Sequence, residues 1–276
     1  MPLGIPDKIK SSFVLKFYVK ALRFFGLAKP TFEGPYPLFF KSENGDLWIS
    51  ATRIKFTRDR LQKLKSEINS KSFIANWDFQ ETLPQFITFL SGILNPSIPF
   101  RVLDFGGGDG NVYLATTSSL NSTESLFWHV VDSKVLTDQG KEICSEFKNL
   151  SFSSELPQQS FDLIFINSVL QFVESPYSLL EQLLIKYPTK YIFLGRLMAG
   201  DYPTTFYKQL NVGEKPTGAA FLNLNEFMKI FDKFGYKIIA KLPAAEDRLS
   251  LTSFHNLKDA SFFKGSVNII LKKKQS

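Results

Sequence analysis

Val102-Leu103-Asp104-Phe105-Gly106-Gly107-Gly108-Asp109-Gly110 is the stretch that decides the fold of this chain. The apolar run Phe100 to Leu103 reads as a buried strand, Asp104 follows, and glycines recur at alternate positions 106, 108 and 110. A helical pattern begins near Asn111. A strand that turns into a helix over glycines lets a ligand approach bare backbone and the helix N-terminus. The dinucleotide fingerprint would put its third glycine at position 111, where this chain has Asn111.

Working outward, Leu126 to Asp132 reads as the next strand, with a carboxylate at its tip placed for the two hydroxyls of a ribose. The alternation continues. Strands are expected at 100–105, 126–132, 161–166, 190–195, 236–242 and 266–272, with a short one at 150–153. Helices are expected at 110–120, 134–147, 176–187 and 223–234, the last stopped by Gly235. This order predicts an α/β fold, a parallel sheet with helices on both faces.

Upstream, Thr57 is expected to cap a helix through Arg60, Leu61, Leu64 and Ile68. A second helix is expected from Asp78 to Leu94, with Pro84 starting or kinking it. The Pro/Gly/aromatic-rich segment from Pro30 to Gly45 reads as irregular chain. Asn95-Pro96-Ser97-Ile98-Pro99 leads into the first strand. The expected organisation is therefore an N-terminal helical extension, 1–95, and a ligand-binding α/β domain, 96–276. Two long connections, Arg196 to Leu222 and Pro243 to Gly265, read as loops.

Composition narrows the function classes. The chain has 276 residues, is 44% hydrophobic and carries a net charge of +7, with lysines and arginines gathered near the ends. No nucleic-acid-binding signature accompanies that charge, and a nucleic-acid partner is not expected. Cys144 is the single cysteine, which excludes an internal disulfide and points to a reducing compartment; it reads as a packed helix residue. Two histidines and no Cys/His ligand spacing give no metal site. Phe13 to Leu27 is too interrupted by Lys16, Lys20 and Arg23 to span a membrane. It reads as an amphipathic basic helix, expected to pack its aromatic face on the body; peripheral contact of residues 6–28 with an anionic membrane is the alternative.

The spacing Gly106-x-Gly108-x-Gly110, with Asp104 two residues ahead, resembles the S-adenosylmethionine loop of class I methyltransferases. Ser160-Phe161-Asp162-Leu163-Ile164-Phe165-Ile166-Asn167-Ser168 resembles their fourth-strand segment, which ends beside the reactive methyl. Thr31-Phe32-Glu33-Gly34-Pro35, Leu170-Gln171-Phe172 before Pro176, and Arg196 look more specifically like a bacterial methyltransferase family associated with cell-surface polysaccharide gene clusters. The resemblance implies a Rossmann-like, mostly parallel seven-stranded sheet, S-adenosylmethionine as cofactor and a cytoplasmic enzyme, with contact to the inner membrane as the alternative. It assigns Asp104, Gly106, Gly107, Gly108, Gly110, Asp132 and Asn167 to the cofactor, with Asp132 on the ribose and Asp104 near the methionine end.

Methyl transfer is an in-line displacement in which positioning supplies much of the acceleration, and a base is needed only when the acceptor must lose a proton. No catalytic signature stands out. Gln171, Arg196 and His255 are the candidates, and His129, inside an apolar strand, reads as packing. The expected acceptor is a small molecule or glycan, methylated on oxygen. Its pocket is expected in the 196–222 loop, with Tyr202, Phe206 and Tyr207 shaping it and Arg196 and Gln209 donating hydrogen bonds. Two other readings are a non-catalytic cofactor-binding scaffold and another nucleotide-binding Rossmann-like enzyme.

Overall fold

The computed structural model describes residues 30–41, 50–71, 82–210, 216–244, 254 and 265–275. The amphipathic N-terminal segment and His255 lie outside them.

The glycine stretch begins where expected. Strand β2 (Phe100–Phe105) runs into helix α3 (Asn111–Thr117). Parallel to β2 lie β3 (Leu126–Val131) on one side and β5 (Leu163–Asn167) on the other. β4 (Leu150–Ser153) flanks β3, and β6 (Tyr191–Leu197) flanks β5, both parallel. Beyond β6 the sheet turns antiparallel with β11 (Ser266–Lys273) and then β10 (Tyr236–Ala244). The seven-stranded order is β10-β11-β6-β5-β2-β3-β4. The chain winds outward from β2 to β4 and then returns to β5, so the direction reverses between β2 and β5. A ligand crevice forms at such a switch point, off the carboxyl ends of the strands.

Strand residues alternate between two covered faces, which is why these segments read as continuous apolar runs. Val102, Trp128, Phe165 and Phe193 face α1 (Ala51–Asn69), α2 (Thr82–Ile93) and α3. Leu103, Ile164, Ile166 and Leu194 face α5 (Pro176–Lys186) and α6 (Leu224–Lys233). Helix α4 (Lys134–Ile143) packs beside β4 and brings Cys144 into the first layer, where burial pushes its thiol up to about 12. The upstream helices thus share the core of the sheet: Phe86 of α2 is fully buried, its ring 4.2 Å from that of Phe165 and 4.9 Å from that of Phe193.

Three expectations change. Helix α1 starts at Ala51, not after Thr57; Ser50 caps it by accepting from the Arg53 N–H at 3.3 Å, and the Thr57 hydroxyl satisfies itself inside the helix on the Ile54 carbonyl. The segment read as irregular contains strand β1 (Phe32–Tyr36). The 196–222 connection is not a loop. It holds β7 (Ala199–Gly200), β8 (Thr205–Gln209) and β9 (Thr217–Asn223), which form a second sheet in the order β1-β8-β9-β7. Its core is aromatic: the rings of Phe32, Tyr207, Phe221 and Phe254 meet at 5.1 to 6.2 Å between centroids. The strands are short, and Phe32 pairs with Gln209, so no local period announces the sheet. Among the described residues no helix is long and apolar enough to cross a membrane.

Candidate functional site

At the switch point a cavity of about 690 Å3 opens. Its floor is the glycine loop, and its walls come from the ends of β3, β5 and β6, from α1, and from the strap Phe39–Lys41 that follows β1.

The loop and the tip of β3 are sewn together. The Gly106 N–H donates to the Val131 carbonyl at 2.8 Å, and the Gly108 N–H donates to Asp132 Oδ2 at 2.8 Å. Asp132 Oδ1 accepts from the Ser133 N–H at 2.6 Å. A carboxylate offers about four acceptor sites, so bracing the loop does not preclude gripping a ribose. Gly106, Gly108 and Gly110 all have positive φ. Their open sides differ. A Cβ on Gly108 (φ +62) would meet nothing within 4 Å, whereas one on Gly106 would lie 2.3 Å from Val169 Cγ2 and one on Gly110 2.9 Å from the Phe152 ring. Gly107 is required for a different reason: a Cβ there would sit 2.4 Å from the Asp104 carboxyl. Gly106 is therefore where the loop closes against the chain after β5, and Gly108 is where backbone faces open space. A valine at 106 would therefore first strike Val169.

Asp104 lies beneath this loop, 1% exposed, and accepts a hydrogen bond from the Trp128 indole N–H at 3.0 Å. Burial pushes its carboxyl up to about 7, and the neighbouring Asp132 charge adds to the rise, while the indole bond opposes it. Asp109, absent from the sequence-based site, is buried too and is pushed up to about 6. For Asp104 the linkage has a definite sign. The folded chain holds a proton that the unfolded chain releases near 3.8, so its contribution is full below that pH and is lost as pH rises through about 7. Asp104→Asn keeps an oxygen for the indole and cannot ionise. Its melting temperature should rise relative to the wild type's between about pH 4 and about pH 7. A constant gap between the two melting curves across that range would show that Asp104 stays ionised in the folded protein.

Across the cavity, β5 and β6 end side by side in two left-handed non-glycine residues, Ser168 (φ 59) and Arg196 (φ 48). Such conformations cost about 1–3 kcal/mol each and persist where surrounding structure enforces them. Here the Ser168 N–H donates to the Gly195 carbonyl at 2.9 Å, and the Arg196 N–H donates to Asn268 Oδ1 at 2.7 Å. Gln171 joins the two, donating to Ser168 Oγ at 2.9 Å and to the Arg196 carbonyl at 3.1 Å. Asn167 lines the cavity, and its buried Oδ1 has no hydrogen-bond partner.

The structure therefore brings Asp104, Gly106, Gly107, Gly108, Asp132, Asn167 and Arg196 around one cavity. Gly110 sits just behind, as the residue before α3. Gln171 does not line it; its amide is committed to bracing β5 against β6. His129 is held by Ser151 and Ser153 at 2.7 Å each, away from the cavity, and burial lowers its pKa. Tyr202 and Tyr207 are core residues of the second sheet, Phe206 packs on Phe39, and Gln209 pairs with Phe32; none lines the cavity. The pocket wall comes instead from Phe39, Phe40, Phe172 and Thr217, and from Arg53, Thr57 and Arg60 of α1. A helical spacing of i, i+4, i+7 leading into the buried Leu61 and Leu64 was the readable sign for the last three.

No protein-family model matches the sequence, and no curated protein matches it. Solved structures share its fold. A mitomycin 7-O-methyltransferase superposes with a TM-score of 0.51 at 12% identity, over 84% of this chain and 62% of that one; this chain thus spans under two thirds of that protein. The 4+2 cyclase SpnF superposes with a TM-score of 0.50 at 13% identity, over 70% of this chain and 81% of that one. A Burkholderia thailandensis 1,6-didemethyltoxoflavin-N1-methyltransferase, solved with S-adenosylhomocysteine, gives 0.49 at 11% identity over 86% and 94%. At these identities the first two likenesses show a common Rossmann-like fold.

Proposed function

We propose that this chain binds S-adenosylmethionine in the cavity and transfers its methyl to an oxygen of a small acceptor. The observation that carries the reading is Gly108: left-handed backbone facing open space, its N–H held by Asp132 at the tip of the neighbouring strand. The residues present fit that cofactor. Asp132 suits a ribose diol, Gly108 a close approach of the adenosine, and the buried Asp104 a cationic amino-acid end. When bound, the cofactor supplies an electrophilic methyl. The protein's own part is to orient the acceptor and exclude water. Asn167 and Arg196, at the ends of β5 and β6, border the space where an acceptor oxygen would lie, and the strained Arg196 backbone fixes where its side chain starts. A glycan acceptor rests on the family resemblance; the cavity offers it Arg196, Thr217 and the Phe39–Phe40 strap.

Calorimetric titration with S-adenosylmethionine, S-adenosylhomocysteine and NAD tests the binding half, and tighter binding of NAD would overturn it. Asp132→Ala should weaken S-adenosylhomocysteine by about 1–3 kcal/mol, the scale for unpairing polar groups, in a protein that still folds. Unchanged affinity would remove Asp132 from the ribose.

A second reading is a cofactor-binding protein that does not transfer methyl. It is favoured by the absence of histidine among the described residues lining the cavity, and by a fold neighbour named as a cyclase. Labelled methyl appearing in any acceptor from a screen of hydroxylated small molecules and glycans decides against it.

A further inference from the structure

Three side chains on one face of α1 enter the cavity from above the glycine loop: Arg53, Thr57 and Arg60. Their spacing puts them on the N-terminal continuation of the stripe that buries Leu61 and Leu64 against the sheet. The same stripe that docks the helix therefore aims two guanidiniums inward. The other face of α1 is tied down separately, with Arg58 on Glu142 of α4. Arg53 is also in the first turn of the helix, where no acidic residue accompanies it and the helix dipole disfavours a cation. Partial burial lowers the Arg53 pKa, and the nearby Arg60 charge lowers it further. Among the described residues Asp109, buried within the glycine loop, is an acid whose charge acts on both. Two like charges are thus held close together at the edge of a cavity large enough for a ligand, on a face selected by core packing.

We propose that Arg53 and Arg60, with the Thr57 hydroxyl between them, form an anion-binding subsite that takes a carboxylate. Guanidiniums bind carboxylates through paired N–H donors, and a hydroxyl adds a third donor. The carboxylate can come from either of two molecules: the amino-acid end of the cofactor, which rests on the function proposed above, or an anionic acceptor.

The test uses the full-length chain and an Arg53→Gln/Arg60→Gln variant, with Arg53→Lys/Arg60→Lys retaining charge. Melting curves establish that each is folded. Calorimetry is run with S-adenosylhomocysteine, which carries the carboxylate, and with 5′-methylthioadenosine, which keeps the nucleoside and thioether without it. If the cofactor supplies the group, the Gln variant should lose about tenfold or more in affinity for the first ligand and none for the second, and the Lys variant should lose less. If the acceptor supplies it, both nucleoside ligands bind the variant normally. Benzoate should then bind the wild-type protein saturated with S-adenosylhomocysteine, and this binding should vanish in the Gln variant. Failure of the wild type to bind either nucleoside would sink the proposed function alone, since benzoate binding to the ligand-free protein still reports the subsite. Gln-variant affinities equal to wild type for all three probes would overturn the subsite.

Discussion

Gly108→Leu is expected to abolish measurable binding of S-adenosylhomocysteine, with a loss of at least about 100-fold in affinity. Two causes combine. The side chain would project into a side of the loop that is open among the described residues, where a Cβ meets nothing within 4 Å. The residue also sits at φ +62, which costs a non-glycine side chain on the order of 1–2 kcal/mol. The second cause acts on folding and the first on binding, so the two separate experimentally. Melting should fall modestly while binding disappears. Gly108→Asn serves as the control, because asparagine tolerates the left-handed region and is smaller; it should bind better than the leucine variant. Native affinity in Gly108→Leu would mean that the ligand approaches elsewhere. The contrast with Gly106 sharpens the test: a substitution there meets Val169 and is expected to act through the fold.

Phe86→Ala should cost about 3–5 kcal/mol, the range for removing a fully buried phenylalanine. Its ring lies among those of Trp128, Phe165 and Phe193, from three strands of the main sheet. Folded domains are stable by only about 5–15 kcal/mol, so this is a large fraction. Denaturant unfolding would show a lower midpoint of a single transition. The result bears on organisation. If residues 1–95 formed a cap apart from the sheet, the loss would appear as a separate early transition and leave the main one unmoved. A shift under about 1 kcal/mol in the main transition would support that separation.

The order of strands and helices from residue 100 onward was legible because local period and glycine placement report it directly. Each predicted strand of the main sheet is present, including the short one at Leu150–Ser153. Asp104, Asp132 and the glycines were legible as one cluster for a related reason. A strand end followed by a tight turn leaves few roles for an acid and a run of glycines. The separate parts of the glycine run were not legible. Gly106 faces Val169 and Gly108 faces open space only because β5 delivers Val169 to one side of the loop.

Gln171 illustrates the limit of adjacency. It follows the strand that ends at the cavity, yet its amide turns to Ser168 and Arg196 and braces two strained residues. The pairing of those residues depends on β5 and β6 lying in register, with Asn167 opposite Gly195. Asn268, far along the chain, supplies the acceptor that holds the Arg196 N–H.

Sequence by itself determined the alternation of strands and helices that builds the main sheet and the acid–glycine loop that follows β2, because both follow from residues near one another in the chain. Only the tertiary structure decided what surrounds that loop. Tyr202 and Tyr207 went into an aromatic core when β8 and β9 paired with the distant β1, and Arg53 and Arg60 came to the cavity when Leu61 and Leu64 docked α1 on the sheet. Such long-range pairings are set by burial of whole faces against each other, which no local period encodes.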